Sequence, residues 1–172
     1  MDNKGSVIIV DDEEMLLDTL KSGLSSKGYY CEVASTVKSA LELINKTSFE
    51  IMITDVVLPD GHGFELAKKA MRLNPGMKVI LMTGYSEDFS YDEAMEAGAS
   101  DFIKKPFSLK ELFARIKHIR MQEEFLKSQE ELKKKVIELE EFYNMAVGRE
   151  LRMKELKNEI ERLREELQKY KK

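Results

Sequence analysis

Between residues 7 and 104, short apolar runs alternate with stretches patterned for helix, and this alternation limits the fold more than any other feature of the chain. Val7–Val10 is a β-branched run that reads as a buried strand. Tyr30–Ala34 is a weaker strand, Phe49–Thr54 and Lys78–Thr83 are strongly apolar, and Asp101–Lys104 is a short last strand. Helical spacing appears between them. Met15, Leu16, Leu20 and Leu24 recur on one face, with Gly28 as a stop. Val37, Ala40, Leu41 and Ile44 follow a cap at Ser35 or Thr36. Phe64, Leu66, Ala67, Ala70, Met71 and Leu73 end before Asn74-Pro75, and a short helix over Tyr91–Ala97 is closed by Gly98. A fifth helix starts near Ser108, with Glu111 three residues on, as in a capping box. Five strands alternating with five helices specify an α/β fold, a five-stranded doubly wound parallel sheet with helices on both faces. The first, third and fourth strands are continuous apolar runs, as strands covered on both faces must be.

The remainder differs in kind. All three Pro and eight of the nine Gly lie before residue 121. Residues 121–172 hold 13 basic and 13 acidic residues, so their net charge is zero and the whole surplus of −4 lies in residues 1–120. Two domains are expected: a globular one over 1–120, and a coiled-coil helix over 121–172 continuous with the last globular helix. Leu112, Ile116 and Ile119 suit packing on the sheet. Beyond them, Phe125, Gln129, Leu132, Val136, Leu139, Tyr143 and Ala146 form one seam with heptad spacing. Met153, Leu156, Ile160, Leu163, Leu167 and Tyr170 form a second seam. Continuing the first would bury Glu150 and Lys157, so a phase shift falls near Gly148-Arg149. A lone helix cannot bury such a seam. A parallel homodimer through residues 121–172 is expected, with an antiparallel hairpin bent near Gly148 as the alternative.

Several classes are excluded. No apolar run is long enough to span a membrane, and the start is not a signal peptide. One Cys makes neither an internal disulfide nor a zinc site. The acidic globular part and the neutral tail speak against nonspecific nucleic-acid binding. The expected location is the cytoplasm.

In a doubly wound sheet, chemistry sits at the carboxyl ends of the strands. Here the first strand ends in Asp11-Asp12, the third in Asp55, the fourth in Thr83 and the fifth in Lys105-Pro106. One such Asp is commonly a cap or turn residue. Three acids at one edge repel one another unless a cation or the lysine neutralises them. Carboxylate oxygens with retained waters are what Mg²⁺ prefers, so the set suits a hard cation and a phosphate.

Residues 5–118 resemble the receiver domain of two-component response regulators. The resemblance is carried by Val10-Asp11-Asp12-Glu13, Asp55-Val56-Val57-Leu58-Pro59-Asp60-Gly61, Met82-Thr83-Gly84 and Gly98-Ala99-Ser100-Asp101-Phe102-Ile103-Lys104-Lys105-Pro106-Phe107. It implies a flavodoxin-like receiver fold in which Asp55 takes a phosphoryl group from a histidine kinase. It implies Mg²⁺ held by Asp12, Asp55 and the backbone carbonyl of Val57, with Asp11 acting through a bound water. Lys105 would pair with Asp55 and then with the phosphoryl group, Thr83 would turn its hydroxyl to that group, and Phe102 would be the rotating aromatic. The Lys105–Pro106 bond would be cis. The state would be read from the fourth helix, fifth strand and fifth helix. Transfer would be self-catalysed, so the protein would not be a turnover enzyme. Val57 and Tyr85, which flank the water path, carry no acid or amide, so slow self-dephosphorylation is expected. Gly84 leaves the mouth open to a phosphodonor. His62 is expected to be an exposed turn residue, and His118 lacks the surroundings of a phosphoacceptor.

Residues 142–151, from Phe142 to Leu151, are similar to linker helices that precede sensor or kinase modules in multidomain signalling proteins. The output is therefore either a downstream protein partner reached through the coil or a module beyond residue 172. Two other classes stand as alternatives. One is a Mg²⁺-dependent phosphatase, which typically needs a second acid two residues after the nucleophile, where Val57 stands here. The other is a structural coiled-coil protein with an inert receiver.

Overall fold

A computed structural model describes residues 4–84 and 98–169, with side chains to residue 165. The expected helix over Tyr91–Ala97 lies outside the described residues, as do Tyr85, Tyr170 and the side chain of Leu167. The elements run β1 (Ser6–Val10), α1 (Glu14–Ser26), β2 (Tyr30–Ala34), α2 (Val37–Lys46), β3 (Ile51–Asp55), β4 (Val57–Leu58), β5 (Gly61–His62), α3 (Gly63–Leu73), β6 (Lys78–Thr83), β7 (Asp101–Lys104) and α4 (Leu109–Lys169). The chain divides into two compact units, Met1–Met121 and Gln122–Lys172.

In the first unit, five strands pair in parallel in the order β2-β1-β3-β6-β7. Alternation along each strand sends side chains to opposite faces. Ile8, Val10, Met52, Val79 and Leu81 join one apolar cluster with Ala40 and Ile44 of α2 and Leu66, Ala67 and Ala70 of α3. Val7, Ile9, Ile53, Ile80, Met82 and Ile103 join the other with Leu17, Leu20 and Leu24 of α1 and Leu112, Ile116 and Ile119 of α4. Both faces are covered, and the five-stranded doubly wound parallel sheet expected from the alternation is the one observed.

Three local expectations change. On α1 the buried stripe is Leu17, Leu20 and Leu24, while Met15 is 80% exposed. Spacing of three and four from Leu17 faces the sheet, and Met15 falls outside that arc. The third strand starts at Ile51, not Phe49; Phe49 is fully buried but precedes the ladder. The short antiparallel pair β4–β5 was not expected, because two-residue strands carry no periodicity.

Caps follow their local chemistry. Thr36 is the cap of α2, accepting a hydrogen bond from the Ser39 N–H at 3.1 Å. Ser108 accepts one from the Glu111 N–H at 3.2 Å. On α4, Arg115 pairs with Asp101 at 3.1 Å. Arg120 donates to the Lys4 carbonyl, lies 3.3 Å from Glu50 and stacks 5.1 Å from the Tyr29 ring centre. These contacts hold the first turns of α4 on the sheet. In the second unit, α4 presents large apolar residues to solvent, Leu132, Leu139 and Ile160 among them.

Candidate functional site

β1 pairs with β2 on one side and β3 on the other, so the chain leaves the ends of β1 and β3 in opposite directions. That reversal opens a crevice at the carboxyl edge, where ligands bind in open α/β sheets. Asp11 follows β1, Asp55 ends β3, and Lys105 follows β7.

Asp11 is fully buried. Its Oδ1 accepts from the Glu13 N–H at 3.0 Å, and its Oδ2 accepts from Lys105 Nζ at 2.6 Å. Asp55 accepts from the same ammonium at 2.6 Å, and from the Val57 N–H at 3.4 Å. Asp12 is exposed, and one oxygen from each of Asp11, Asp12 and Asp55 falls within 4.8 Å of the others. Thr83 ends β6, its carbonyl accepting from the Lys105 N–H at 2.8 Å, which ties the hydroxyl residue to the lysine through one backbone hydrogen bond. Phe102 lies in β7, half-buried against the α2–α3 side of the core. The Lys105–Pro106 peptide is cis. His62 is exposed where α3 begins and His118 is exposed on α4, so neither joins the pocket. Gly84, Lys105, Pro106, Phe107, Glu13 and Leu16 line an adjoining cleft of about 440 Å³.

The pocket is unbalanced in charge. Burial opposes the charge on Lys105, but its hydrogen bonds to Asp11 and Asp55 outweigh burial and hold its pKa above the ordinary lysine value. Burial pushes the Asp11 carboxyl up, against the pull of Lys105 and the Glu13 N–H. One ammonium thus faces three carboxylates. The donor set fits a hard divalent cation: it is all oxygen, carries surplus negative charge and includes one solvent-facing acid for a hydrated ion.

A stability consequence follows for the metal-free protein. A carboxyl whose folded pKa is raised favours the fold when protonated. That contribution is complete below the ordinary value of 3.8 and is lost as pH rises through the raised one. The Asp11 carboxyl therefore contributes less to stability at neutral pH than in acid. Asp11→Asn keeps an oxygen for Lys105 and removes the repulsion with Asp55. In a chelator the variant is expected to melt later, by about 1 kcal/mol or roughly 4 °C. The gain should vanish when Mg²⁺ stabilises the wild type instead. Calorimetry with and without Mg²⁺ checks this, and an equal gain in both conditions contradicts it.

Sequence reasoning missed three features. Lys105 bridges Asp11 as well as Asp55, although 94 residues separate it from Asp11. Asp60 accepts from the Val37 and Lys38 N–H groups at 2.7 and 2.9 Å. These donors, Lys38 first, hold its carboxyl below the usual range and fasten the loop after Asp55 to the start of α2. The only signal was that Pro59-Asp60-Gly61 is turn chemistry. Gly63 is the third: a Cβ there would overlap the Asp55 carbonyl oxygen and lie 2.9 Å from its carbon.

The model of the response regulator receiver domain matches residues 7–117. The chain belongs to that family. It is 37% identical over 112 residues to the transcriptional regulatory protein CreB of Escherichia coli (strain K12), covering 65% of this chain and 49% of that one. It thus spans about half the length of the curated relatives it matches. A CheY-like receiver domain protein from Methanospirillum hungatei JF-1 superposes with a TM-score of 0.65 at 38% identity, covering 69% of this chain and 96% of that one. The non-phosphorylated HemR receiver domain of Leptospira biflexa gives 0.62 at 33% identity, covering 67% and 94%. Receiver domains take phosphate from histidine kinases. Among the described residues, no helix is long and apolar enough to cross a membrane.

Proposed function

We propose that the chain is a phosphorylation-switched response regulator receiver, with Asp55 as the phosphoacceptor. The supporting observation is the single ammonium of Lys105 held 2.6 Å from both Asp55 and the buried Asp11, beside the three-acid cluster. An Asp55 carboxylate oxygen attacks phosphorus as the phosphorus–nitrogen bond of a phosphohistidine breaks, and the bonding pair leaves with the imidazole. Phosphoryl transfer passes through a loose transition state, so catalysis is positioning and neutralisation. Asp12, Asp55 and the Val57 carbonyl, with Asp11 through water, would hold Mg²⁺, which would supply charge neutralisation at the phosphoryl oxygens. Lys105 exchanges its hold on Asp55 for a phosphoryl oxygen, which the pairing to Asp11 keeps within reach. Thr83 donates its hydroxyl to another oxygen, and Phe102 turns into the space so vacated. The added charge of about −1.5 to −2 thereby biases the face formed by β7 and the start of α4. The fourth helix expected in that surface lies outside the described residues.

The state passes into residues 121–172, which dimerise and relay it to a downstream protein. The support is a long helix whose apolar residues face solvent in the single chain. This is self-catalysed transfer without turnover. A phosphatase reading is disfavoured because Val57, 48% exposed two residues after Asp55, offers no acid to orient water. For the same reason the acyl-phosphate is expected to last minutes or longer. Timed loss of label after donor removal checks this, and a lifetime of seconds contradicts it. The reading as a whole is tested with a phosphorylated histidine kinase domain as donor. Label should move to the intact chain with Mg²⁺ and stay on the donor with a chelator; transfer unaffected by the chelator counts against the pocket.

A further inference from the structure

We infer that the exposed apolar face of residues 122–165 docks a second copy of this chain lying parallel and in register, and that Gln129 selects that direction. The inference rests on the dimeric relay proposed above and specifies its geometry. On α4, Leu132, Leu139, Leu156 and Ile160 are between 48% and 68% exposed, too much apolar surface for a helix that works alone. Counting heptads from the first seam puts Gln129, Val136 and Tyr143 at a, and Leu132, Leu139 and Ala146 at d. In the second seam Met153 and Ile160 are at a, and Leu156 and Leu163 at d. A β-branched residue at a with Leu at d is the two-stranded preference.

Both directions bury the two seams, because the pattern is nearly symmetric about Ala146. Antiparallel pairing sets Leu132 opposite Ile160, Val136 opposite Leu156 and Gln129 opposite Leu163. That leaves the Gln129 amide facing an apolar side chain, with donors and an acceptor unpaired in a dry layer. Parallel pairing sets Gln129 against its own counterpart, where each amide both donates and accepts. A single polar a position is a known means of fixing register and strand number.

The flanking charges agree. In the parallel pair, Lys135 meets Glu140 of the next heptad and Glu159 meets Arg164, while Arg152 meets Lys157. That is two attractions to one repulsion, each present twice by symmetry. In the antiparallel pair, Lys135 meets Glu159, but Lys133 meets Lys157 and Glu140 meets Glu150. The balance reverses to one attraction and two repulsions. Each contact is small alone, and together they choose between two packings with almost the same apolar burial.

Single cysteines in the 172-residue chain test this under mild oxidation, with the wild type as blank because Cys31 is buried. Leu132→Cys, Ala146→Cys and Ile160→Cys should each give a disulfide-linked dimer in high yield. Linking at Ala146→Cys alone, with Leu132→Cys and Ile160→Cys joining only when mixed, shows an antiparallel pair and overturns the inference while the dimeric relay stands. No linking at any position, with a monomer by light scattering, overturns the relay as well. Gln129→Leu should admit mixed Leu132→Cys and Ile160→Cys links that the parent does not form. An unchanged pattern removes Gln129 as the selector.

Discussion

Asp55→Asn is expected to abolish phosphoryl labelling of the chain outright. The carboxamide has no anionic oxygen to attack phosphorus and forms no acyl-phosphate. The fold should survive the change, because the carboxamide still offers Lys105 an oxygen and Lys105 keeps Asp11 as a partner at 2.6 Å. Melting of the variant and autoradiography after incubation with a phosphohistidine donor and Mg²⁺ separate the two effects. Label persisting at wild-type level would place the acceptor elsewhere, and Asp12 or His62 would become the candidates. Asp12→Asn is the graded counterpart. It keeps the nucleophile but removes the solvent-facing acid of the cluster, so labelling should slow without vanishing.

Gly63→Ala is expected to damage the fold and the site together. Gly63 opens α3 directly behind the end of β3, with its N–H donating to the Val56 carbonyl at 2.8 Å. A Cβ would overlap the carbonyl oxygen of Asp55, sit 2.9 Å from its carbon and lie 3.2 Å from the Val56 Cα. The neighbours are backbone, not the tip of a flexible side chain, so they yield only if β3 or α3 shifts. The cost should reach the upper end for overpacking, about 3 kcal/mol, a fall in melting midpoint of roughly 10 °C. Because the displaced atoms belong to Asp55, phosphoryl uptake should also fall, even at temperatures where the variant stays folded. A loss of stability with normal labelling would show that the loop rebuilds around the new methyl group.

How far the sequence carries depends on where the physical signal is local. Val7–Val10 and Lys78–Thr83 are legible because a strand covered on both faces must be apolar throughout. The ends of those strands are legible for the same reason, since the run stops where Asp11, Asp55 and Thr83 begin. The sequence pattern alone thus puts the carboxylates and the lysine on one edge. Met15 shows the limit of periodicity. It begins the apolar run of α1, yet it lies two residues before Leu17, more than half a turn round the helix axis and outside the buried arc. Other features are non-local. Asp60 reaches the start of α2 across more than twenty residues, and Lys105 meets Asp11 across most of the first unit. Turn chemistry says that Asp60 lies in a bend, not what its oxygens accept. The requirement for glycine at 63 is similarly invisible, because it arises from the approach of α3 to the end of β3.

In the proposed function, the pocket of Asp11, Asp12, Asp55 and Lys105 binds Mg²⁺ and holds a phosphoryl group on Asp55. Beryllofluoride mimics that group without a donor kinase, and fluorine NMR on the full-length chain sees it directly. Bound fluorine resonances are expected that require Mg²⁺, vanish in Asp55→Asn and shift in Lys105→Ala. A folded wild-type chain with no bound resonance at saturating Mg²⁺ and beryllofluoride, or one that binds equally well with Asn at 55, would contradict it.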